Sequence, residues 1–474
     1  MLFIQRTRLA LSPEEGERLR LLGALAARGT TPLIRSARRR FFQMLTAPRT
    51  DAPDAAEELE RECLARPGPA GYDTYPPGEL FSAGDCLLFL VYDGGAEGGA
   101  SAGVVFDLRT AEPLSKLERF CRDVAEAQVE IQGGGGRAEA LAPAAQGLRA
   151  QGGGLPQGLA RFIAIQPAEH VRAGAAFRGG RELARASELM EDRAVRLFLR
   201  RVEELRREGY TPRRVLAEAG ALGVSVERMI EAGLLEPEVR VSCRKSGHAL
   251  FDLPSPDSLA AITISRAKCS QCAAPVADEV IEETISPTRL AVSLLEDGGW
   301  LANRVYKLVR SLGIPDSEIA TGPASRHGES YLAVDVCGNS FLFVTRDGDL
   351  TPAFCRRAVE IVEQTEATHL VVVVTGNVED EGRMRLYEFA WRRARDGQDL
   401  MMTIVEGLDA AREQVERAFG AAVRRELSRN LFPLDASLGF SAGSFVLNWF
   451  KLAKDSAAKN RASGVAAGAA SKSG

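Results

Sequence analysis

The run His369-Leu-Val-Val-Val-Val374, closed by Thr375-Gly376, constrains this chain more than any other stretch. A half-buried strand alternates apolar and polar residues, because successive side chains point to opposite faces. This run has no polar face to give to water, so both sides of its strand must be covered, as in a sheet lined by helices. The flanking sequence offers the cover. Trp300 to Leu312 is predicted as a helix with Leu301, Val305, Leu308 and Leu312 on one face, and Pro352 to Gln364 as a second amphipathic helix. Between them, Tyr331-Leu-Ala-Val-Asp-Val336 and Phe341-Leu-Phe-Val344 read as strands paired around the turn Cys337-Gly-Asn-Ser340. The order is helix, strand, strand, helix, strand, which makes this region an α/β domain with a mixed sheet.

Within that layout stand Trp300-Leu301-Ala302, Ala333-Val334-Asp335 and Val344-Thr345-Arg346. The order and these positions resemble the restriction-endonuclease-like (PD-(D/E)xK) superfamily, and most closely the nuclease domain of CRISPR-ancillary nucleases activated by cyclic oligoadenylate. The resemblance implies a Trp-Leu-Glu-like opening of the helix, Glu-x-Asp on one strand and Glu-x-Lys on the next. Only Asp335 keeps its acidic identity here. About a sixth of the chain is covered by the likeness, which is specific in layout and degenerate in motif.

Phosphodiester hydrolysis in such a fold needs at least two carboxylates to hold a hard divalent cation, with a lysine near the attacked phosphate. Valine at 344 supplies neither charge nor oxygen. Arg346 cannot give up a proton near neutral pH, so it is a poor general base and a good anion clamp. The expected site is therefore degenerate and centred on Asp335 and Arg346. Glu329 and Asp347, with Asp349 beyond, stand as substitute carboxylates if cutting survives on magnesium or manganese. The other reading of Asp347-Gly-Asp349 is a turn leading into the next helix.

With 474 residues the chain can hold two to four cores. Lys and Arg number 60 against 64 Asp and Glu, a formal charge of -4, so no global basic field holds a polyanion and any nucleic-acid contact must be local. No run of about 18 apolar residues exists, and the expectation is a cytoplasmic protein with no membrane partner. Eight cysteines spread this thinly do not form a disulfide framework. Three of them, with one histidine, are placed for metal or for nothing: Cys243-x4-His248, then Cys269-x2-Cys272, on two turns about twenty residues apart. Two such knuckles, with Ala249-Leu-Phe251 and Ala260 to Ile264 between them, read as a zinc ribbon in which Cys243, His248, Cys269 and Cys272 close a structural zinc. A free or redox dithiol at Cys269 and Cys272 is the alternative.

Upstream, Asp192 to Glu208 is predicted as an amphipathic helix buried through Val195, Leu197, Phe198, Val202 and Leu205. Thr211 to Ala219 and Ser225 to Ala232 follow as two short helices, with Ser225 as N-cap and Gly233 as the stop, which is the pattern of a helix-turn-helix or winged helix. As a DNA reader it would place Arg213, Arg214 and Arg228 near phosphates. Glu218, Glu227, Glu231 and Glu236 oppose that use, and a helical packing module is the other reading.

The N-terminal part echoes the C-terminal core: Asp85 to Tyr92 and Gly103 to Arg109 as strands, Leu114 to Ala127 as a helix, Arg161-Phe-Ile-Ala-Ile165 as a later strand. Phe106-Asp-Leu-Arg109 and Phe120-Cys-Arg122 parallel Phe343 to Arg346 and Phe354 to Arg356, suggestive of a second degenerate α/β domain. Gly133 to Gly136 and Gly152 to Gly154 lack the Lys-Ser/Thr of a phosphate loop and read as flexible loop. Arg35 to Arg40 is a basic patch, read as a solvated helix face or a contact for nucleic acid or an acidic partner. The expected division is 1–168 as an α/β domain, 185–238 as the helical module, 239–282 as the ribbon, 288–452 as the nuclease-like domain, and 453–474 as a disordered tail. The expected role is a catalytically inactive nucleic-acid-binding, sensor or scaffold component, in prokaryotic defence by the resemblance alone. A metal-dependent nuclease and a structural subunit binding a protein through Trp391, Phe445 and Trp449 are the alternatives.

Overall fold

The computed structural model describes residues 1–452 except 12–14, 47–76, 93–98, 133–155, 167–180, 209–211, 255–257, 259–267, 276–279, 297, 323–328 and 439. The two Gly-rich stretches, the apolar run Ala260 to Ile264 and the tail from 453 lie outside the described residues. Among those described, the protein is mixed α/β with three sheets. Contacts divide it into two compact units: 1–156, 336–338 and 416 onward in one, 157–335 and 339–415 in the other.

The first unit holds β1 (Leu2–Leu9), α1 (Glu15–Ala27), β2 (Thr31–Pro32), α2 (Leu33–Thr46), β3 (Gly78–Ala83), β4 (Cys86–Tyr92), β5 (Ala100–Asp107) and α3 (Pro113–Ile131). Its sheet runs β1-β5-β4-β3-β2, each pair antiparallel. β4 is buried at all seven positions, as expected of a central strand with both faces covered. One face packs Phe81, Leu88, Leu90 and Val104 against Leu21 and Leu25 of α1 and Leu117, Phe120 and Val124 of α3. Gly103 of β5 lies under the Phe89 ring, which occupies the place a Cβ would take. The sheet neighbour after the helix is not the predicted strand at Arg161 to Ile165. Those residues fall in and just beyond a helix, Gln157–Ala164, whose Leu159 and Phe162 are buried one turn apart in the core of the other unit. A short apolar run carries no period that separates strand from helix, and here packing decided.

The second unit begins with that helix, α4, and continues through α5 (Arg181–Leu189), α6 (Arg193–Arg207), α7 (Pro212–Leu222) and α8 (Val226–Glu231). β6 (Leu235–Ser242), β7 (Ala249–Leu253) and β8 (Val280–Pro287) form an antiparallel sheet in the order β7-β6-β8. β6 and β8 pair along their full length, from Leu235 with Pro287 to Ser242 with Val280, and β7 pairs with the other edge of β6. α6 buries Val195, Phe198, Leu199, Val202 and Leu205. Leu197, predicted on the same side, is 42% exposed, because at about 100° per residue it points away from the arc of Val195, Phe198, Leu199, Val202 and Leu205.

Next come α9 (Arg289–Glu296), α10 (Gly299–Ser311), β9 (Ile319–Thr321), β10 (Glu329–Val336), β11 (Asn339–Arg346), α11 (Pro352–Thr365), β12 (His369–Val374), α12 (Asp380–Arg395), β13 (Met401–Glu406) and α13 (Ala411–Leu438). The sheet order is β13-β12-β11-β10-β9, with β11, β12 and β13 parallel in register. β10 and β11 are joined through Cys337 and Gly338, both at positive φ (54° and 80°), the conformation of a tight hairpin turn with two central residues. Phe354, Cys355, Ala358 and Val362 of α11 and Leu386 and Phe389 of α12 cover one face. A fully buried Leu, Val or Phe contributes about 1.5–3 kcal/mol, and this core holds many. The unit boundary falls inside α13 and places α4 with the second unit, so the units divide the chain differently from the expected ranges 1–168 and 288–452; the helical module, the knuckles and the C-terminal sheet share one unit.

Candidate functional site: an arginine-locked sheet edge and a cysteine cluster

The carboxyl ends of parallel strands gather loop residues at one edge, and Arg346, Asp347, Thr375 and Glu406 stand there by register. Arg346 ends β11 and Glu329 begins β10, so the two meet across the open end of the hairpin. Arg346 Nη1 donates to Glu329 Oε1 at 3.0 Å, Arg357 Nε of α11 donates to Glu329 Oε2 at 2.9 Å, and Arg357 Nη2 also reaches Oε1. The Tyr331 hydroxyl donates to the same carboxylate at 3.1 Å. Glu329 has no exposed side-chain surface, and its hydrogen bond is the first cause of a raised Arg357 pKa. Arg346 also lies over the Phe354 ring, 5.4 Å from its centroid.

Asp347 is held the same way. Arg196 Nε lies 3.3 Å from Oδ1, Arg200 Nη2 donates to Oδ2 at 2.6 Å, and Thr375 Oγ1 donates to Oδ1 at 2.7 Å. Arg196 is buried on α6, where it stacks 4.4 Å over Trp300 and donates to the Met190 and Glu191 carbonyls. Desolvation pulls its pKa down, with Asp347 opposing. Asp349 is exposed and accepts from the Asn377 N–H at 2.6 Å, and Thr351 then caps α11 by accepting from the Phe354 N–H. The segment Asp347 to Asp349 is thus the turn that leads into the helix.

The predicted grouping of Asp335 with Arg346 is not what the fold produces. Asp335 precedes the hairpin turn while Arg346 lies at the far end of the returning strand, so the two sit at opposite ends of the hairpin. Asp335 instead neighbours Glu318, whose carboxyl is pushed up to about 7 by burial and then by the Asp335 charge. A motif read along sequence placed Asp335 and Arg346 in one cleft, but antiparallel pairing reverses the second strand. The guanidinium groups of Arg196, Arg200 and Arg357 were missed; the sequence signal was an arginine at 196 inside an apolar stripe.

At the knuckles, the Cys243, Cys269 and Cys272 sulfurs converge within 4.8 Å of one another, the one such group of His, Cys, Asp and Glu among the described residues. Cys243 and Cys269 are buried, and Cys243 Sγ lies 3.4 Å from Cys272 Sγ. Hydrogen bonds from the Cys272 N–H, and next from the Ser246 hydroxyl, bring the Cys269 thiol down to about 6. Thiolate is the form that binds metal. His248 is a correction: its ring is not among the converging ligand atoms, and its contribution is a carbonyl oxygen that accepts from the Cys243 N–H at 2.8 Å. The first knuckle closes through backbone, the Gly247 N–H donating to the Cys243 carbonyl and the His248 carbonyl accepting from the Cys243 N–H.

In the helical module the Ser225 side chain accepts from the Arg228 N–H, and Gly233 at φ 72° ends the helix, as the sequence indicated. Arg228 is exposed and borders a cleft of about 400 Å³ with Arg185, Glu188 and Glu231. Arg213 and Arg214 side chains lie outside the described residues. Of the aromatics singled out, Trp391 is 78% exposed, whereas Phe445 and Trp449 are half-buried against Phe440 and Phe450. No described helix is long and apolar enough to cross a membrane. Comparison with protein-family models, with curated proteins and with solved structures finds no match.

Proposed function

We propose that this chain is a non-catalytic, nuclease-like recognition or assembly protein, in which a zinc-bearing wing accompanies a restriction-endonuclease-like core. The observation that carries this reading is that Glu329 and Asp347, the carboxylates able to replace a lost metal site, are each held by two guanidinium groups. A divalent cation there would have to displace arginines that already neutralise the carboxylates, and each cluster keeps one positive charge in excess. The helix-strand-strand-strand-helix-strand order from α10 to β12 supports the nuclease-like layout, and the pairing of β6 with β8 after α6, α7 and α8 supports a winged helix. The excess charge, with Arg200 and Arg357 partly exposed, suits a phosphate of a nucleic acid or nucleotide. The three-cysteine cluster fits a soft cation, and zinc held there would stabilise the wing. Defence against foreign nucleic acid is the setting suggested by the resemblance alone.

Incubating the purified chain with labelled single- and double-stranded DNA and RNA, with magnesium or manganese, is expected to give binding without cleavage. Cleavage that is lost in Asp335→Asn at unchanged melting temperature would overturn this function in favour of a metal-dependent nuclease.

One observation favours a second reading, a protein-binding subunit. On α12, Met384, Tyr387 and Trp391 are 62%, 49% and 78% exposed at helical spacing, a stripe suited to a partner's groove. Retention of nucleic-acid binding at wild-type affinity in Trp391→Ala separates that face from the arginine edge.

A further inference from the structure

We propose that Ser246, not His248, fills the fourth corner of the metal site, giving a donor set of three thiolates and one hydroxyl oxygen whose oxygen corner is open to exchange. This rests on the reading of the cysteine cluster as a zinc site. The two knuckles repeat one backbone pattern. In the first, the Cys243 N–H donates to the His248 carbonyl at 2.8 Å, the Gly247 N–H to the Cys243 carbonyl at 2.7 Å, and Gly247 has φ 69°. In the second, the Cys269 N–H donates to the Ala274 carbonyl at 2.8 Å, the Ala273 N–H to the Cys269 carbonyl at 2.9 Å, and Ala273 has φ 58°. Matching bond to bond makes Cys243 equivalent to Cys269, Gly247 to Ala273 and His248 to Ala274. Ser246 is then equivalent to Cys272, a ligand. Alanine in the left-handed region is strained, and that cost marks the turn as one the knuckle requires.

The side chains agree with the backbone. In a tetrahedral site with metal–sulfur bonds of about 2.3 Å, neighbouring ligand atoms stand roughly 3.8 Å apart, slightly less when one is oxygen. Cys243 Sγ and Cys272 Sγ are 3.4 Å apart, and Ser246 Oγ and Cys269 Sγ are 3.6 Å apart. The two pairs share no atom, as opposite edges of one tetrahedron do. A neutral hydroxyl is a far weaker donor to a borderline-soft cation than a thiolate. Ser246 is also the exposed member of the four, so the weak corner faces solvent. A site with three strong ligands and one replaceable oxygen accepts an incoming imidazole or thiolate, as catalytic zinc sites accept water and substrate, whereas four cysteines would close it.

Cobalt(II) loaded into the full chain tests this through its ligand-field and thiolate charge-transfer bands. The expected result is one ion per chain, a spectrum unchanged in His248→Ala, stronger charge transfer and tighter binding in Ser246→Cys, and ligand-field bands that shift on adding imidazole to wild type but not to Ser246→Cys. Cobalt uptake with a spectrum altered in His248→Ala, or with bands indifferent to imidazole in wild type, overturns the Ser246 assignment and leaves the zinc reading standing. No uptake by wild type or by Ser246→Cys overturns both.

Discussion

Glu329 shows how a single residue sets the meaning of its neighbours. Read along the chain it was a spare carboxylate; folded, it is fully buried and accepts from Arg346, Arg357 and Tyr331. Removing one partner of a fully buried pair costs about 3–5 kcal/mol. Arg346 and Arg357 keep 23% and 35% of their side chains exposed and can turn to water, so Glu329→Gln is expected to cost less, about 2–3 kcal/mol. Urea titration would show it as a lower midpoint; an unchanged midpoint would mean that the arginines are not held by this carboxylate. Glu318 gives the opposite sign. Its folded pKa of about 7 stands above the ordinary 4.5, so the folded state holds the proton more tightly and stability falls as pH rises from about 4.5 through 7. Glu318→Gln is therefore expected to raise the melting temperature at pH 8, change it little at pH 4, and flatten the dependence between. Equal effects at both pH values would refute the assignment. Neither role was legible in sequence, because each depends on which groups antiparallel pairing and α11 bring together.

Elements with a strong period were legible. β12 was read from His369 to Val374 and forms there, because an unbroken apolar run bounded by Thr-Gly leaves one outcome in a covered sheet. The hairpin of β10 and β11, the cap at Ser225 and the stop at Gly233 likewise follow from local chemistry. The helix at Gln157–Ala164 was missed because its eight residues show barely two turns of pattern. Cys243 to Ser246 repeats the spacing of Cys269 to Cys272, a likeness that the difference between serine and cysteine conceals in the sequence. Where β12 leaves the sheet, Gly376 passes so close to the preceding turn that a Cβ would overlap Asp349 Oδ1 and crowd the Gly348 carbonyl carbon at 2.6 Å. Gly376→Ala must push that backbone aside, a change expected to cost about 1–3 kcal/mol, and thermal unfolding at wild-type midpoint would show that the turn yields freely.

At the scale of the whole molecule, two cores and one small cluster of sulfurs divide the work of stability. The knuckles hang from one end of the β6 and β8 ladder, and apart from Cys243 and Cys269 their described residues are largely exposed, so little apolar burial holds them. Chelation is expected to speed amide hydrogen exchange from Cys243 to Leu253 and from Lys268 to Pro275, while β10, β11 and β12 exchange as before. Uniform acceleration across the chain would instead make the metal a support of the entire unit. The same ladder bears on how the chain reaches its native state. Its two strands are separated by the long excursion from Cys243 to Asp278 and onward, so pairing Ser242 with Val280 must first close that loop, at an entropic cost that grows with its length. A cation that joins Cys243 to Cys269 and Cys272 early would tie off most of the loop before the strands meet. Such an ion would then guide assembly order, and refolding of β8 against β6 should run faster with metal than with chelator, even where the finished sheet is equally stable in both.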